Sequence, residues 1–194
     1  MEYSVNQLRD FSSLFTRSEV FRWFKDDFES IDLKLQRYRL SESNKGRSYL
    51  NVLKQAYKIL EKHYPNEYIL KNEFLNHWIK KELGDNNSKI FNELRIGKAI
   101  ADLALFNGRS IVFEIKTILD KEYRLSSQLQ EYKKLFNEVY IIVPKELLSK
   151  YIDFDKNIGI ITYDSFSKNF EQIQNSNFNS NVDIDVLMEV LHTK

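Results

Sequence analysis

Two alternating apolar runs joined by Asn107-Gly108 constrain this chain more than any other feature. Residues 99–106 read AIADLALF and residues 110–116 read SIVFEIK. Asn-Gly between such runs predicts an antiparallel hairpin, because both residues accept the positive φ of a tight turn. Side chains alternate along a strand, and cross-strand partners point the same way. Ala101, Leu103 and Leu105 form one apolar set; Ile111, Phe113 and Ile115 form the other. Both sets face one core only if paired residue numbers sum to an even value. A two-residue turn pairs Phe106 with Arg109, an odd sum that turns one set to the wrong face. A three-residue loop, Phe106-Asn107-Gly108, closed by Leu105 with Arg109, restores the parity. Gly108 then takes the left-handed position of a bulge.

The same register gathers chemistry. Asp102, Glu114 and Lys116 share the face opposite the apolar sets. Asp102 is expected across from Val112 and diagonal to Glu114, roughly 7–8 Å away. Two carboxylates within a sheet are costly unless compensated, and a divalent cation compensates them. Mg²⁺ (or Mn²⁺) suits the position, since Mg²⁺ takes one or two carboxylates and completes its shell with water and phosphate oxygens. A lysine on the same face can orient a water or stabilise charge on phosphate. The triplet Glu-x-Lys is weak by itself, arising about once by chance in such a chain. Glu131-Tyr132-Lys133 repeats it on a predicted helix and is assigned no chemistry.

The flanking pattern completes an α/β arrangement. Residues 4–62 read as helical, with Leu14, Phe15, Val20, Phe21, Trp23, Phe24 and Phe28 as expected core. Ser41–Arg47 is a polar connector, and Ser48 an N-cap. Residues 67–84 are helical and stop at Gly84, before the polar Asp85-Asn86-Asn87-Ser88. Residues 89–96 are consistent with a strand, 121–137 return to helical spacing, and 138–143 and 158–163 are compact strands. Residues 172–181 form an Asn/Ser-rich linker before a short helix near 182–192. Three segments follow: a helical extension over 1–64, a core over 65–168, and a linker with a terminal helix over 169–194.

Composition narrows the chemistry. Cysteine is absent and only three histidines occur, His63, His77 and His192, none at metal-ligand spacing. Thiol catalysis, thiolate zinc and a Ser-His-Asp triad are poor fits, which leaves carboxylates to hold any metal. The first ten residues carry charge and no apolar stretch, and no run reaches the roughly 18 apolar residues of a membrane span. A cytoplasmic protein with no membrane association is the expectation.

Asp102, eleven intervening residues and Glu114-Ile115-Lys116 resemble the PD-(D/E)XK nuclease superfamily, whose core runs α-β-β-β-α-β. Arg124-Leu125-Ser126-Ser127-Gln128, with Tyr132 after it, looks like the R-L-x-x-Q-x-x-x-Y helix of small bacterial members. The resemblance covers about 67–165, with Ala101 standing where the named motif has Pro. It implies a restriction-endonuclease-like mixed sheet and Mg²⁺-dependent cleavage of nucleic acid, DNA rather than RNA. It makes Asp102 and Glu114 metal ligands, with the Ile115 carbonyl in the shell. Lys116 becomes the catalytic lysine and Gln128 its polar neighbour. Glu93 is implied as a third acid at the metal or one supporting its ligands, and Glu73 as the acid of the first core helix. A different class is an inactive nucleic-acid-binding or protein-interaction module on the same fold, with a role in phage defence or interbacterial conflict.

Net charge is +1, but it is unevenly spread. Residues 34–62 carry eight basic residues (Lys34, Arg37, Arg39, Lys45, Arg47, Lys54, Lys58, Lys62) against Glu42 and Glu61; residues 151–194 carry seven acids against three lysines. Arg37, Arg39, Arg47 and Arg124 are therefore the candidate nucleic-acid contacts. A homodimer or a partner protein are the other partners considered.

Overall fold

The computed structural model describes residues 3–38, 48–83, 87–118, 120 and 124–192. The expected connector Ser41–Arg47 and the expected helix stop at Gly84-Asp85-Asn86 lie outside the described residues. The chain divides into two units, Met1–Ile69 and Leu70–Lys194. The expected boundary at 64/65 falls five residues before that division.

The first unit contains helices α1 (Val5–Ser13), α2 (Arg17–Phe24), α3 (Glu29–Arg37) and α4 (Tyr49–His63). Ser4 and Thr16 cap α1 and α2 by accepting the N–H groups of Gln7 and Glu19. Ser48 occupies the N-cap of α4 in extended conformation but makes no side-chain capping bond. The core is Leu8, Phe11, Leu14, Ile31, Leu35, Val52, Ala56, Ile59, Leu60 and Ile69. The expected core residues Val20, Phe21 and Phe24 are instead 51%, 57% and 86% exposed. Helix α2 turns Glu19 inward, because Trp23 Nε1 and Ser30 Oγ donate to its carboxylate at 3.3 and 3.0 Å, with Lys34 Nζ at 3.8 Å. A buried carboxylate with such partners escapes most of its desolvation cost.

The second unit is built on a mixed six-stranded sheet. Helix α5 (Glu67–Glu73) continues as π-helical turns over Phe74–Leu83. Strands β1 (Lys89–Ile96), β2 (Ala99–Phe106) and β3 (Ser110–Ile115) precede helix α6 (Leu125–Leu135). Strand β4 (Glu138–Pro144) leads through a 3₁₀ turn (Lys145–Leu147) and α7 (Leu148–Tyr151) to β5 (Gly159–Asp164). Strand β6 (Asn169–Gln174) and α8 (Ile184–His192) close the chain. The strands lie in sequence order. Pairing is antiparallel for β1–β2, β2–β3 and β5–β6, and parallel for β3–β4 and β4–β5. Every residue of β3 is buried, as expected of a strand covered on both faces.

The hairpin parity holds, one step from the expected register. Phe106 pairs with Ser110 and Leu105 with Ile111, so the loop is Asn107-Gly108-Arg109. Gly108 has φ +89°, the left-handed geometry anticipated for it. Leu103, Leu105, Ile111, Phe113 and Ile115 pack with Leu70, Phe74 and Ile79 on one face. Ala104 and Val112 pack with Leu125, Leu129, Tyr132 and Leu135 of α6 on the other. Ala101 joins the α6 cluster instead of the expected set. The β2–β3 ladder ends at Leu103, and on the other side Ala101 and Leu103 pair with Leu94 and Asn92 across Glu93, whose positive φ breaks the regular pleat at this point.

The expected linker over 172–181 is partly strand: β6 pairs with β5 and is the second edge of the sheet. Among the described residues no helix is long and apolar enough to cross a membrane.

Candidate active site at the β2–β3 fork

The paired part of β2 and β3 ends at Leu103 with Phe113. One residue beyond, the Asp102 carboxylate accepts the backbone N–H of Ile115 at 2.7 Å. Strand β3 stays on β4 here: Ile115 pairs with Ile142, and Lys116 N–H donates to the Ile142 carbonyl at 2.8 Å. The two strands thus fork, and a side chain fills the fork. Continuing the observed register sets Asp102 directly across from Glu114, whereas Val112, its expected partner, pairs with Ala104.

Beneath α6, Glu114 is the hub. Lys116 Nζ donates to Glu114 Oε1 at 2.8 Å and to Gln128 Oε1 at 3.4 Å. The Tyr132 hydroxyl lies 2.7 Å from Glu114 Oε2 and 2.9 Å from the Ile100 carbonyl. Glu114 is 3% and Lys116 7% exposed. Gln128 and Tyr132 reach the same hub because residues four apart share a helix face. Burial raises the Tyr132 phenol far above its ordinary pKa. The charge and hydrogen bond of Glu114 and the charge of Asp102 add to this, and a bond with Gln128 opposes it. Glu114 and Asp102 both add negative charge near this one phenol.

A cleft of about 290 Å³ adjoins this hub, lined by Lys98, Ile100, Arg124, Ser127, Gln128 and Glu131. Gln128 belongs to both cleft and hub. Arg124 and Lys98 both line the cleft. The β1–β2 turn delivers Lys98 to the cleft. That turn needs Gly97, whose φ is +53° and where a Cβ would approach Glu131 Oε2 to 2.8 Å.

The other candidates stand apart. Glu93 is exposed, in left-handed conformation with φ +57°, at the β1 position opposite Asp102. Glu73 is buried at the end of α5 with Oε2 3.3 Å from His77 Nε2. Among the described residues no three Asp, Glu or His side chains gather to hold a metal, so neither acid joins Asp102 and Glu114 as a third ligand. Arg37 donates to Asp10 at 2.8 Å, and Asp10 also takes the Tyr38 hydroxyl at 2.6 Å. Bonds with Tyr38 and Asp10 raise the Arg37 pKa further. Its guanidinium is thus partly committed within the first unit. Arg39 and Arg47 lie outside the described residues.

The donor set suits a hard divalent cation. Asp102 and Glu114 supply carboxylate oxygens from facing positions, and the intervening backbone oxygen belongs to Ile115. A carboxylate offers about four lone-pair sites.

Residues 60–194 match a family model described as bacteriophage P4 protein cII. No curated protein matches the chain. Among solved structures, the SPO1766 protein of unknown function from Silicibacter pomeroyi aligns with a TM-score of 0.42 and 11% identity. That alignment covers 54% of this chain and 70% of that one. The family match takes in the whole sheet, the fork and α6, and on it the chain belongs to the bacteriophage P4 protein cII family.

Proposed function

We propose that this protein is a Mg²⁺-dependent nuclease hydrolysing phosphodiester bonds, with DNA as its substrate and the cytoplasm as its place of action. The observation that carries the reading is the contact of Glu114, Lys116 and Gln128 beside a cleft lined by Arg124 and Lys98, with Asp102 bonded to the backbone N–H of Ile115 between Glu114 and Lys116. The order α5-β1-β2-β3-α6-β4 supports a restriction-endonuclease-like core, and the proposal includes that topology.

Asp102, Glu114 and the Ile115 carbonyl would hold the ion. When bound, Mg²⁺ lowers the pKa of a coordinated water and offsets phosphate charge. Lys116 donates its ammonium protons to the attacking water and to charge developing on phosphate. Gln128 holds that ammonium in place through its Oε1. Arg124 and Lys98 pair with backbone phosphates flanking the scissile bond.

A second reading has its own observation. Both Glu114 oxygens are already engaged, by Lys116 and by Tyr132, in a nearly sealed position. That closure favours a nucleic-acid-binding module without turnover. Incubation with circular DNA, linear DNA, single-stranded DNA and RNA, with Mg²⁺ or Mn²⁺, separates the two. Metal-dependent cleavage of DNA is expected. Retention of nucleic acid with every substrate left intact would favour the module.

A further inference from the structure

The sheet face opposite the fork carries a larger cavity that the hydrolytic reading does not use. It measures about 480 Å³, within the range of small-molecule sites. Trp78, Tyr140 and Phe178 contribute rings to a lining that also holds Arg109, Glu138 and Gln172. Trp78 stacks on Phe74 at 4.9 Å, and Tyr140 stacks on Phe113 at 5.7 Å, so both rings belong to a packed aromatic layer. Phe178 lines the same cavity with 63% of its surface exposed. Its backbone neighbours are pinned. Asn177 N–H bonds the Asn157 carbonyl at 3.0 Å, and Asn179 N–H bonds the Asn137 carbonyl at 2.8 Å. The Asn/Ser-rich segment is thus a strap that presents one ring over the opening.

The polar side of the cavity is equally fixed. Glu138, 6% exposed, accepts from Arg109 Nη1 at 2.5 Å and from the Tyr140 hydroxyl at 3.0 Å. Both of its oxygens are occupied, so it orients the guanidinium and is not itself the ligand's anchor. Arg109 keeps 45% of its side chain exposed at the cavity. A guanidinium has five donors in a rigid fork, which matches phosphate. Flat rings on the walls, one oriented guanidinium and little apolar depth fit a planar heteroaromatic ring joined to a phosphate.

We propose that this cavity binds a nucleoside monophosphate, with the base against Trp78 and Phe178 and the phosphate on Arg109. Every base offers a π-face to such rings, so the site is assigned to the nucleotide class and AMP and GMP serve as the probes. The assignment does not rest on the hydrolytic reading.

Calorimetric titration of the full chain with AMP and GMP, in EDTA so that metal chemistry at the fork is silent, tests it. Saturable binding accompanied by a change in tryptophan fluorescence is expected. Adenosine, lacking the phosphate, should bind about tenfold more weakly or worse. Phe178→Ala removes an exposed ring and should weaken AMP or GMP about tenfold. Arg109→Lys keeps the charge beside Glu138, so the fold is preserved, and should weaken it similarly. Absence of saturable binding up to millimolar nucleotide would overturn the proposal. So would an affinity unchanged by both substitutions, or inorganic phosphate binding as tightly as AMP.

Discussion

The carboxylate of Asp102 accepts the backbone N–H of Ile115, a residue on the neighbouring strand, at 2.7 Å. Ile115 is 2% exposed, so this N–H has lost its access to water. Asp102 is therefore both a candidate ligand and the group that satisfies the backbone where the sheet forks. Replacement by Ala should cost about 1–3 kcal/mol, the penalty of a buried unsatisfied N–H. Asp102→Asn keeps an acceptor oxygen and should lose much less. Urea unfolding of the two variants checks this; equal losses would mean the bond contributes nothing specific.

Glu114 and Lys116 form a buried pair, and removing one partner leaves the other charge uncompensated. Lys116→Met alone should destabilise by about 3–5 kcal/mol. Adding Glu114→Gln should recover part of that loss, because the stranded charge is gone. A double-mutant cycle in denaturant reads the coupling, and additive losses would contradict it.

Tyr132 gives a pH signature. Its pKa is raised in the folded protein by burial and by Glu114, so above the ordinary phenol value of 10.0 the unfolded state has released a proton that the folded state retains. Its stabilising contribution is complete below that value and declines as pH rises beyond it, by about 1.4 kcal/mol per pH unit. Tyr132→Phe should make the alkaline slope shallower by about one proton. Tyr140, also raised by burial and by Glu138, keeps part of the slope in place. An unchanged slope in Tyr132→Phe would exclude the phenol as its source.

Why the hairpin was legible only to within one step follows from Ser110. Alternation of Leu103, Leu105, Ile111 and Phe113 demands an even sum, and pairing Leu105 with Arg109 or with Ile111 satisfies it equally. The choice is made outside the hairpin. Ser110 N–H donates to Asn137 Oδ1 at 2.8 Å, Asn137 N–H donates back to Ser110 Oγ at 3.0 Å, and Arg109 bonds Glu138. Those partners stand at the entry to β4, far along the chain. Strand β6 was hidden because Asn169–Gln174 is a polar edge, anchored by Phe170 on Tyr163 and Phe74. The inward turn of Glu19 depends on Ser30 and Lys34 from α3, which periodicity within α2 does not convey. Tyr132 lies on the Gln128 face in sequence, but its bond to Glu114 is a tertiary contact.

Local charge makes a further prediction about substrate binding. Arg124 and Lys98 line the cleft beside Gln128, and Arg37 lies in the first unit, donating to Asp10. The combined substitution Arg124→Ala with Lys98→Ala should reduce the salt dependence of DNA binding by a slope of about 1–2, since each of the two cations would neutralise one phosphate. Arg37→Ala should leave the slope unchanged. Fluorescence anisotropy across a salt series measures both, and the reverse ranking would move the interface to the first unit.

The most direct measurement is the rate of DNA cleavage in Mg²⁺ by the wild type beside Glu114→Ala and Lys116→Ala, each first shown to be folded by circular dichroism. Metal-dependent cleavage by the wild type is predicted, with a fall of at least about a hundredfold in each variant, the scale on which oriented electrostatic groups act. Cleavage at the wild-type rate in both folded variants would contradict the nuclease reading, since the Glu114–Lys116 hub would then have no part in the chemistry.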